Sequence, residues 1–518
     1  MKLNSMHKKE LAKAQKEMDI AIGKDILELL SHAMYVNPLT IFREYTQNSV
    51  DSIDEAESLN LYSKNIVPRI DISISLTNRS VNIIDNGSGI KNQEFKKRIT
   101  AFGASKKRGS KARGFRGVGR LAGLGYCQEL IFRTRAPGES YINEVKWDCK
   151  KIAELLRDST FTGDLKDVVN SVTNFSKVEL PDYPEHFFEV ELKKVLRLKN
   201  DIILNDIEIN NYLSQVAPVP FSEDFKFSNK IQEYLDKYSL GKSYFIYLNN
   251  SRSPIYKPHQ NSICFSENLF DNYKKPKFFE IPGQNGNHSA VGWRLDHSYC
   301  GAIPNEAKVK GLRIRSGNIQ VGNEDIISHI FPEKRFNAWS VGEIHVLDKK
   351  IQPNGRRDNF TQNQSYLNFL SHLAIQTQEI SKICRERSKQ RNQKKIFDSE
   401  KKKVQERLDL LNQPIIPKAL ATNIKKEIGS SLGIMERLTD VHDLFPNDPL
   451  GVKSEFTAIQ AEVNKIINSK AHDDPLSKFS TQKKAIYKEI FGLIYECSPS
   501  KVNAKSLIDK IINKLSAL

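Results

Sequence analysis

The chain is poor in several features that would assign it quickly. It has no apolar run near the roughly 18 residues that a membrane-spanning helix needs, so no spanning segment is expected. The N-terminal stretch MKLNSMHKKELAKAQKEMD has no apolar core and carries acids, unlike a secretory signal. Six cysteines (Cys127, Cys149, Cys264, Cys300, Cys384, Cys497) lie far apart without a CxxC pair. That argues against a zinc ribbon or disulfide scaffold and fits a reducing, cytoplasmic setting. Eleven histidines, His32, His186 and His345 among them, show neither HExxH nor another paired metal-ligand spacing. GxxxxGK[ST] is absent, so a P-loop ATPase is excluded.

Acidic residues are the scarcer charge: 62 Asp and Glu against 79 Lys and Arg, a net +17. The excess is local. Residues 91–120 hold 11 Lys or Arg and one acid, and residues 382–407 hold 11 and four, which together account for all of it. Such stretches suit the phosphates of a nucleotide or a nucleic acid, or form a solvated face.

What is present suggests three regions in 518 residues. An α+β unit is expected over 1–215. In it, helical periodicity covers 24–59, with a second run at Ile41–Glu57 after Pro38. Strand-like segments follow at 71–76, 81–85, 129–135, 141–147 and 186–192. Residues 86–125, rich in glycine and lysine, read as a loop or lid. A second α/β unit is expected over 216–365, with strands at 243–248, 311–322 and 342–348. The pattern is helical from 366 to 518, broken at Pro414, Pro417 and the NDP turn at 447–449.

Three runs carry chemistry. In FREYTQNSVDSIDEA (42–56), Glu44, Asn48 and Asp51 stand at i, i+4 and i+7, within roughly 60° of arc on a helix. A carboxylate there can serve as general base, and an Asn oxygen one turn on suits a magnesium shell. In NIIDNGSGI (82–90), Asp85 ends an apolar strand, where it can accept from an exocyclic amine such as adenine's. Gly87 and Gly89 then allow close backbone approach to a flat ligand, although a DNG hairpin turn would read the same way. In FGASKKRGSKARGFRGVGRLAGLGY (102–126), Gly114, Gly117 and Gly119 lead, with Val118 between the last two, into an apolar helix start. Successive N–H groups at such a junction cradle phosphates, and Ser105, Lys106, Lys107 and Arg108 add donors. Gly117, Gly119 and Ala122 imitate a dinucleotide fingerprint, but no apolar strand precedes them.

Taken in order, E-x-x-x-N-x-x-D, D-x-G-x-G and G-x-x-G-x-G, these runs resemble the GHKL ATPase superfamily over about residues 20–195. That superfamily takes in type II topoisomerase ATPase domains, mismatch-repair MutL, MORC ATPases, ninety-kilodalton heat-shock chaperones and histidine kinases. Residues 29–56, with Tyr35, Asn37, Ile41, Phe42, Arg43 and Glu44 in step, are most similar to the heat-shock chaperone form. The FGASKK run is closer to MORC-like lids. IQPNGRRDNF (351–360) resembles the chaperone middle-domain loop whose arginine reaches the ATP γ-phosphate. Alignment on Asn354 gives Arg357 that role, with Arg356 beside it as the alternative. The Gly-Thr step usual before the domain's last strand is not evident before HFFEVEL (186–192). The C-terminal region does not resemble the chaperone dimerisation domain.

The resemblance implies a Bergerat-type ATP-binding sandwich, a mixed sheet covered by helices, with a lid at 91–120. It implies a middle transducer domain with an arginine loop at 351–358, and then a helical C-terminal region with a basic helix at 382–407. The expected function is a magnesium-dependent ATPase clamp, working as a homodimer on a protein client. Asp85 would fix adenine, Asn48 hold Mg2+, Glu44 activate water, and Gly87, Gly89 and the glycine loop line the nucleotide, with Asp51 beside them. The alternative is a MORC- or MutL-like clamp on nucleic acid through 382–407. The architecture also resembles stand-alone prokaryotic GHKL ATPases that serve in phage defence. A histidine kinase is disfavoured, because its ATPase domain follows a phosphoacceptor helix whereas here it opens the chain.

Overall fold

The computed structural model describes residues 37–101, 119–158, 160–161, 163–198, 200–412, 416–439, 449–468 and 476–516. They fall into two units, 1–381 and 382–518. The fold is α+β, with mixed sheets and helices followed by an all-helical C-terminal region.

The first described element of this unit is helix α1 (Thr40–Ser58), which contains neither glycine nor proline. Pro38 sits just ahead of it, and the Asn37 Oδ1 accepts from the Leu39 N–H at 3.0 Å. Strands β1 (Arg69–Ser75) and β2 (Ser80–Asp85) form a hairpin in which Arg79 takes a left-handed φ of 47°. Then come α2 (Asn92–Thr100), β3 (Cys127–Arg135), β4 (Ile142–Asp148), α3 (Cys149–Arg157), α4 (Leu165–Val172), β5 (Thr173–Val178), β6 (Phe187–Val195), α5 (Asp206–Val216), α6 (Ser228–Asp236) and β7 (Phe245–Leu248). The seven strands make one sheet in the order β5-β4-β3-β6-β2-β1-β7. All its pairs are antiparallel except β1 with β7.

Ile41, Phe42, Tyr45, Val50 and Ile53 of α1 pack onto Ile70, Ile72, Val81, Ile83 and Leu192 of the sheet, all essentially fully buried. Each such side chain contributes about 1.5–3 kcal/mol on burial, so the helix is held by its apolar face and its polar face is positioned as a consequence.

A second sheet follows the short β8 (Ser262–Ser266) and β9 (Leu269–Asn272) pair. It is built from β10 (Lys275–Pro282), β11 (His288–Asp296), β12 (Gly311–Ser316), β13 (Ile319–Val321) and β14 (Val341–Val346), in the order β10-β11-β14-β12-β13. Its core includes Ile231, Val291, Trp293 and Val341. A charged cluster is buried on the same sheet. The Lys257 Nζ donates to both oxygens of Glu343 (2.9 and 2.7 Å), the Arg315 Nε to Oε1 at 2.6 Å, and the His345 Nε2 lies 3.2 Å from Oε2.

Helix α7 (Gln364–Leu411) runs 48 residues, and the division between the units falls within it. In the second unit, α8 (Lys418–Thr439), α9 (Pro449–Asn468), α10 (Thr481–Cys497) and α11 (Lys501–Ser516) follow. Pro417 directly precedes α8 and Pro449 opens α9, where the missing N–H costs nothing. Phe397, Val404, Ile424, Ile428, Met435 and Val463 form the core of this unit.

Two local expectations are corrected. Residues 92–100, read as lid loop, are helical, because Phe95 and Ile99 at i and i+4 supply a buried stripe too short to register as periodicity. The apolar run after Gly117 forms a 3₁₀ segment, Gly119–Gly125, and not an α-helix. Three glycines in seven residues lower its α-propensity.

Candidate functional site

Helix α1 carries Glu44, Asn48 and Asp51. Glu44 is 5% exposed and Asp51 7%, while Asn48 is half-buried. The Glu44 Oε1 lies 3.3 Å from the Arg43 Nη2 and 3.1 Å from the Arg357 Nε. The 3₁₀ segment packs against this carboxylate: a Cβ on Gly119 would stand 2.3 Å from the Glu44 Oε2. One turn of backbone further on, the Gly123 N–H donates to the Tyr45 Oη at 2.8 Å, and that hydroxyl donates to the Arg120 carbonyl at 3.2 Å. Glycine at 119 and 123 is therefore a matter of close approach to α1.

Asp85 is the last residue of β2, paired with Ile70 on one side and Phe188 on the other. It is 1% exposed. Its Oδ1 accepts from the Gly87 N–H at 2.9 Å, while Oδ2 is buried with no hydrogen-bond partner. Burial pushes its carboxyl up to about 7, with the nearby polar groups of Ser49, Gly87, Ser52 and Phe188 pulling the other way. Ser49 and Ser52 belong to α1, so Asp85 faces the same helix that carries Glu44.

The turn after Asp85 does not close a hairpin. It leads to α2 and presses on α1: a Cβ on Gly87 would meet the Ser52 Oγ at 2.2 Å. Gly89 has φ +65°, and a Cβ there would meet the Arg135 carbonyl oxygen at 2.2 Å. Sequence reasoning missed two residues that hold this turn. The buried His186 Nδ1 lies 2.6 Å from the Gly87 carbonyl, so that nitrogen carries the hydrogen. The Thr134 hydroxyl accepts from the Ile90 N–H at 2.9 Å and donates to the Phe187 carbonyl at 2.8 Å. Neither sits in a motif; only the pairing of β3 with β6 brings Thr134 beneath the turn.

The loop after β14 reaches α1 from the second sheet. A bridge between Pro353 and Phe360 closes it, with the Asn354 N–H donating to the Asn359 carbonyl at 2.8 Å and the Asn354 Nδ2 to the Asp358 Oδ1 at 2.6 Å. Arg357 takes φ +56°, and its carbonyl accepts from the Gly322 N–H at 2.8 Å. A non-glycine residue held there costs of order 1–3 kcal/mol, which the surrounding hydrogen bonds offset. The two arginines divide the contacts: the Arg357 guanidinium meets Glu44, whereas Arg356 offers its carbonyl to the Arg43 Nη2 at 3.0 Å.

Ser105, Lys106, Lys107, Arg108, Gly114, Gly117 and Val118 lie outside the described residues, as does Tyr35. The described part of the glycine loop, Gly119, is at Glu44.

These residues suit a nucleotide. An orphaned, buried carboxylate oxygen at Asp85 is the acceptor that an exocyclic amine needs. Magnesium bound with a nucleotide keeps waters and takes phosphate oxygens, so one protein oxygen, such as that of Asn48, is enough. The Asn48 amide makes no side-chain hydrogen bond to a described residue. Among the described residues no group of three or more His, Cys, Asp or Glu is placed to hold a metal by itself.

Residues 39–177 match the family model for histidine kinase-, DNA gyrase B-, and HSP90-like ATPases. The chaperone protein HtpG of Fusobacterium nucleatum is 29% identical over 180 residues, covering 30% of this chain and 29% of that protein. HtpG of an Enterobacter species is 27% identical over 158 residues, covering 27% and 25%. HtpG of Baumannia cicadellinicola is 28% identical over 214 residues, covering 38% and 30%. The chain thus spans less than a third of the length of these relatives.

Proposed function

We propose that this chain, which carries a GHKL-type domain near the HSP90-like ATPases, binds and hydrolyses ATP and couples turnover to movement of its second sheet against its first. The observation that carries the reading is the contact of Arg357, from the loop after β14, with Glu44 on α1. A cation delivered from one sheet to the carboxylate of the other is the arrangement a clamp needs, since the guanidinium can stabilise phosphoryl charge only when the two are together.

In this reading Asp85 Oδ2 accepts from the adenine amine, with Gly87 and Gly89 giving the base room. Glu44 takes the proton of the attacking water. Gly119, beside Glu44, borders the phosphates with Asp51 on the same face; Ser105, Lys106, Gly114, Gly117 and Val118 are assigned to the phosphates by the sequence pattern and its resemblance alone. Asn48 would hold Mg2+, whose contribution is to neutralise phosphate charge. Arg43 orients Glu44 and ties the arginine loop to α1 through the Arg356 carbonyl.

The protein-client reading is preferred to the nucleic-acid one on a specific observation. At least five of the eleven cations in 382–407 meet carboxylates within the second unit, Lys402 with Glu406 among them. Lys394 pairs with Asp398 and Glu455, Lys401 with Glu455, Lys403 with Glu400 and Arg407 with Glu427. A homodimer and a role in phage defence stay with the resemblance that suggested them, and a cytoplasmic setting with the scattered cysteines.

The test is ATP turnover and binding by the full chain. Glu44→Ala should bind nucleotide and hydrolyse it roughly 10²–10⁴-fold more slowly. Asp85→Asn should lose binding. Undiminished turnover in Glu44→Ala would overturn the assignment of the base.

A further inference from the structure

On the side of α1 where Arg43 and the arginine loop meet, a cavity of about 620 Å³ opens between α1, α5 and the β12–β13 hairpin. That volume lies within the range of small-molecule sites. Arg43, Lys308, Lys310, Arg313, Arg356 and Arg357 line it, against two acids, Glu324 and Asp358. Lys310 is 3.7 Å from Glu324 and donates to the Asn305 Oδ1 at 2.7 Å. Lys308, Arg313 and Arg356 pair with no carboxylate among the described residues.

Arg313 is the clearest sign that the charge is meant to be used. It is 5% exposed, its Nη1 donates to the Gln320 Oε1 at 3.1 Å and its Nη2 to the Lys308 carbonyl at 2.9 Å. Its Nε is buried without a partner. Burial lowers its pKa to about 10, so it remains a cation at neutral pH. Its hydrogen-bond acceptors are neutral and the carboxylates of Glu324, Glu343 and Asp325 act on it only through space, so with further cations around it an entering anion would complete its pairing. Planar guanidinium forks beside mobile ammonium groups match phosphate oxygens. A concave site of this size takes a compact ligand, whereas the phosphates of a duplex lie along a convex rod.

We propose that this cavity is a binding site for a small ligand carrying two or more phosphate groups, separate from the face of α1 that bears Asn48 and Asp85's serine neighbours. The site shares Arg43, Arg356 and Arg357 with the contact at Glu44. An anion bound here therefore competes with Glu44 for the Arg357 guanidinium and links ligand occupancy to the arginine loop. The binding itself requires nothing of ATP hydrolysis.

Inorganic tripolyphosphate is the probe, titrated calorimetrically into the full chain. Wild type should bind it, and Lys308→Gln with Lys310→Gln should weaken binding about tenfold or more, the usual loss for charge-assisted contacts. Binding of a non-hydrolysable ATP analogue should not change in that variant. Unaltered tripolyphosphate affinity in the double variant overturns the proposal, as does a wild type that binds an oligonucleotide but no tripolyphosphate. Should the double variant melt early, competition decides: tripolyphosphate still binding at saturating ATP analogue supports a second site, and complete displacement refutes it. A chain that binds tripolyphosphate in a Lys308- and Lys310-dependent way but never ATP would sink the ATPase reading and leave this site standing.

Discussion

Arg357 places its Nε 3.1 Å from the Glu44 Oε1, joining the loop after β14 to helix α1. The pair is largely buried, Arg357 at 15% and Glu44 at 6% side-chain exposure. Arg43 shares the carboxylate from the neighbouring position on the helix. In the proposed reading, where Glu44 is the general base, its contact with two guanidinium groups before the phosphates arrive is a resting arrangement. Transfer of Arg357 from the carboxylate to a phosphoryl oxygen would free the base and engage the cation in one motion.

Arg357→Lys and Arg357→Ala should therefore bind ATP and turn it over at least about 10²-fold more slowly, with lysine recovering little because it is a point charge and not a fork. Arg356→Ala should fall far less, since its contact with Arg43 is made by the backbone. Steady-state turnover with bound-nucleotide measurements separates the two. Equal loss at both positions would refute the division.

Nucleotide affinity should decline as pH drops below about 7. The Asp85 carboxyl has its pKa raised by burial to about 7, and acceptance from an adenine amine favours the ionised form. Binding near neutral pH should then release up to one proton, visible as a dependence of calorimetric heat on buffer ionisation enthalpy. In the empty protein the sign for stability is opposite to that of a salt-bridged acid. With a folded pKa above the unfolded value, Asp85 costs stability progressively as pH rises from about 4 to about 7. Proton uptake on binding would contradict this account.

Gly119→Ala should slow hydrolysis with little loss of nucleotide affinity. The added Cβ would stand 2.3 Å from the Glu44 Oε2, so the carboxylate must move. Turnover unchanged from wild type would show that this approach is irrelevant to catalysis.

Glu343→Gln should destabilise the first unit by roughly 3–5 kcal/mol in denaturant unfolding, because Lys257, Arg315 and His345 would surround an uncharged amide. Burial alone would raise the Glu343 pKa, but Arg315 and Lys257 override it and hold it well below the usual range. Its contribution is thus present above about pH 4.5 and is lost only as pH falls toward its depressed folded value. A loss below 1 kcal/mol would mean that the cluster is not tightly coupled.

Duplex DNA should leave ATP turnover unchanged at low salt, given the carboxylates already paired with Lys394, Lys401, Lys403 and Arg407. Stimulation that disappears as salt rises would restore the nucleic-acid reading.

Most of the first sheet was legible because its strands alternate or run apolar between turn residues, as at 71–76, 81–85 and 186–192. The helix bearing Glu44 was legible for the same kind of reason, and its spacing of three polar residues marked one face. Helices α3, α4 and α6 escaped notice: each is eight or nine residues long, too short for a 3.6-residue period to rise above chance. The edge strand β7 could not be assigned to the first sheet from sequence, since its pairing with β1 is parallel and spans more than a hundred residues of chain.

By itself the sequence determined that Glu44, Asn48 and Asp51 share one helix face and that Asp85 ends a strand: such local spacing is a property of neighbouring residues, and helical and strand periods convert it directly into direction. Only the tertiary structure decided that Arg357 and not Arg356 meets Glu44, that His186 and Thr134 hold the Asp85 turn, and that six cations converge beside α1. Those relations join segments far apart in the chain, and they depend on strand pairing and on a left-handed residue at 357, which no local pattern encodes.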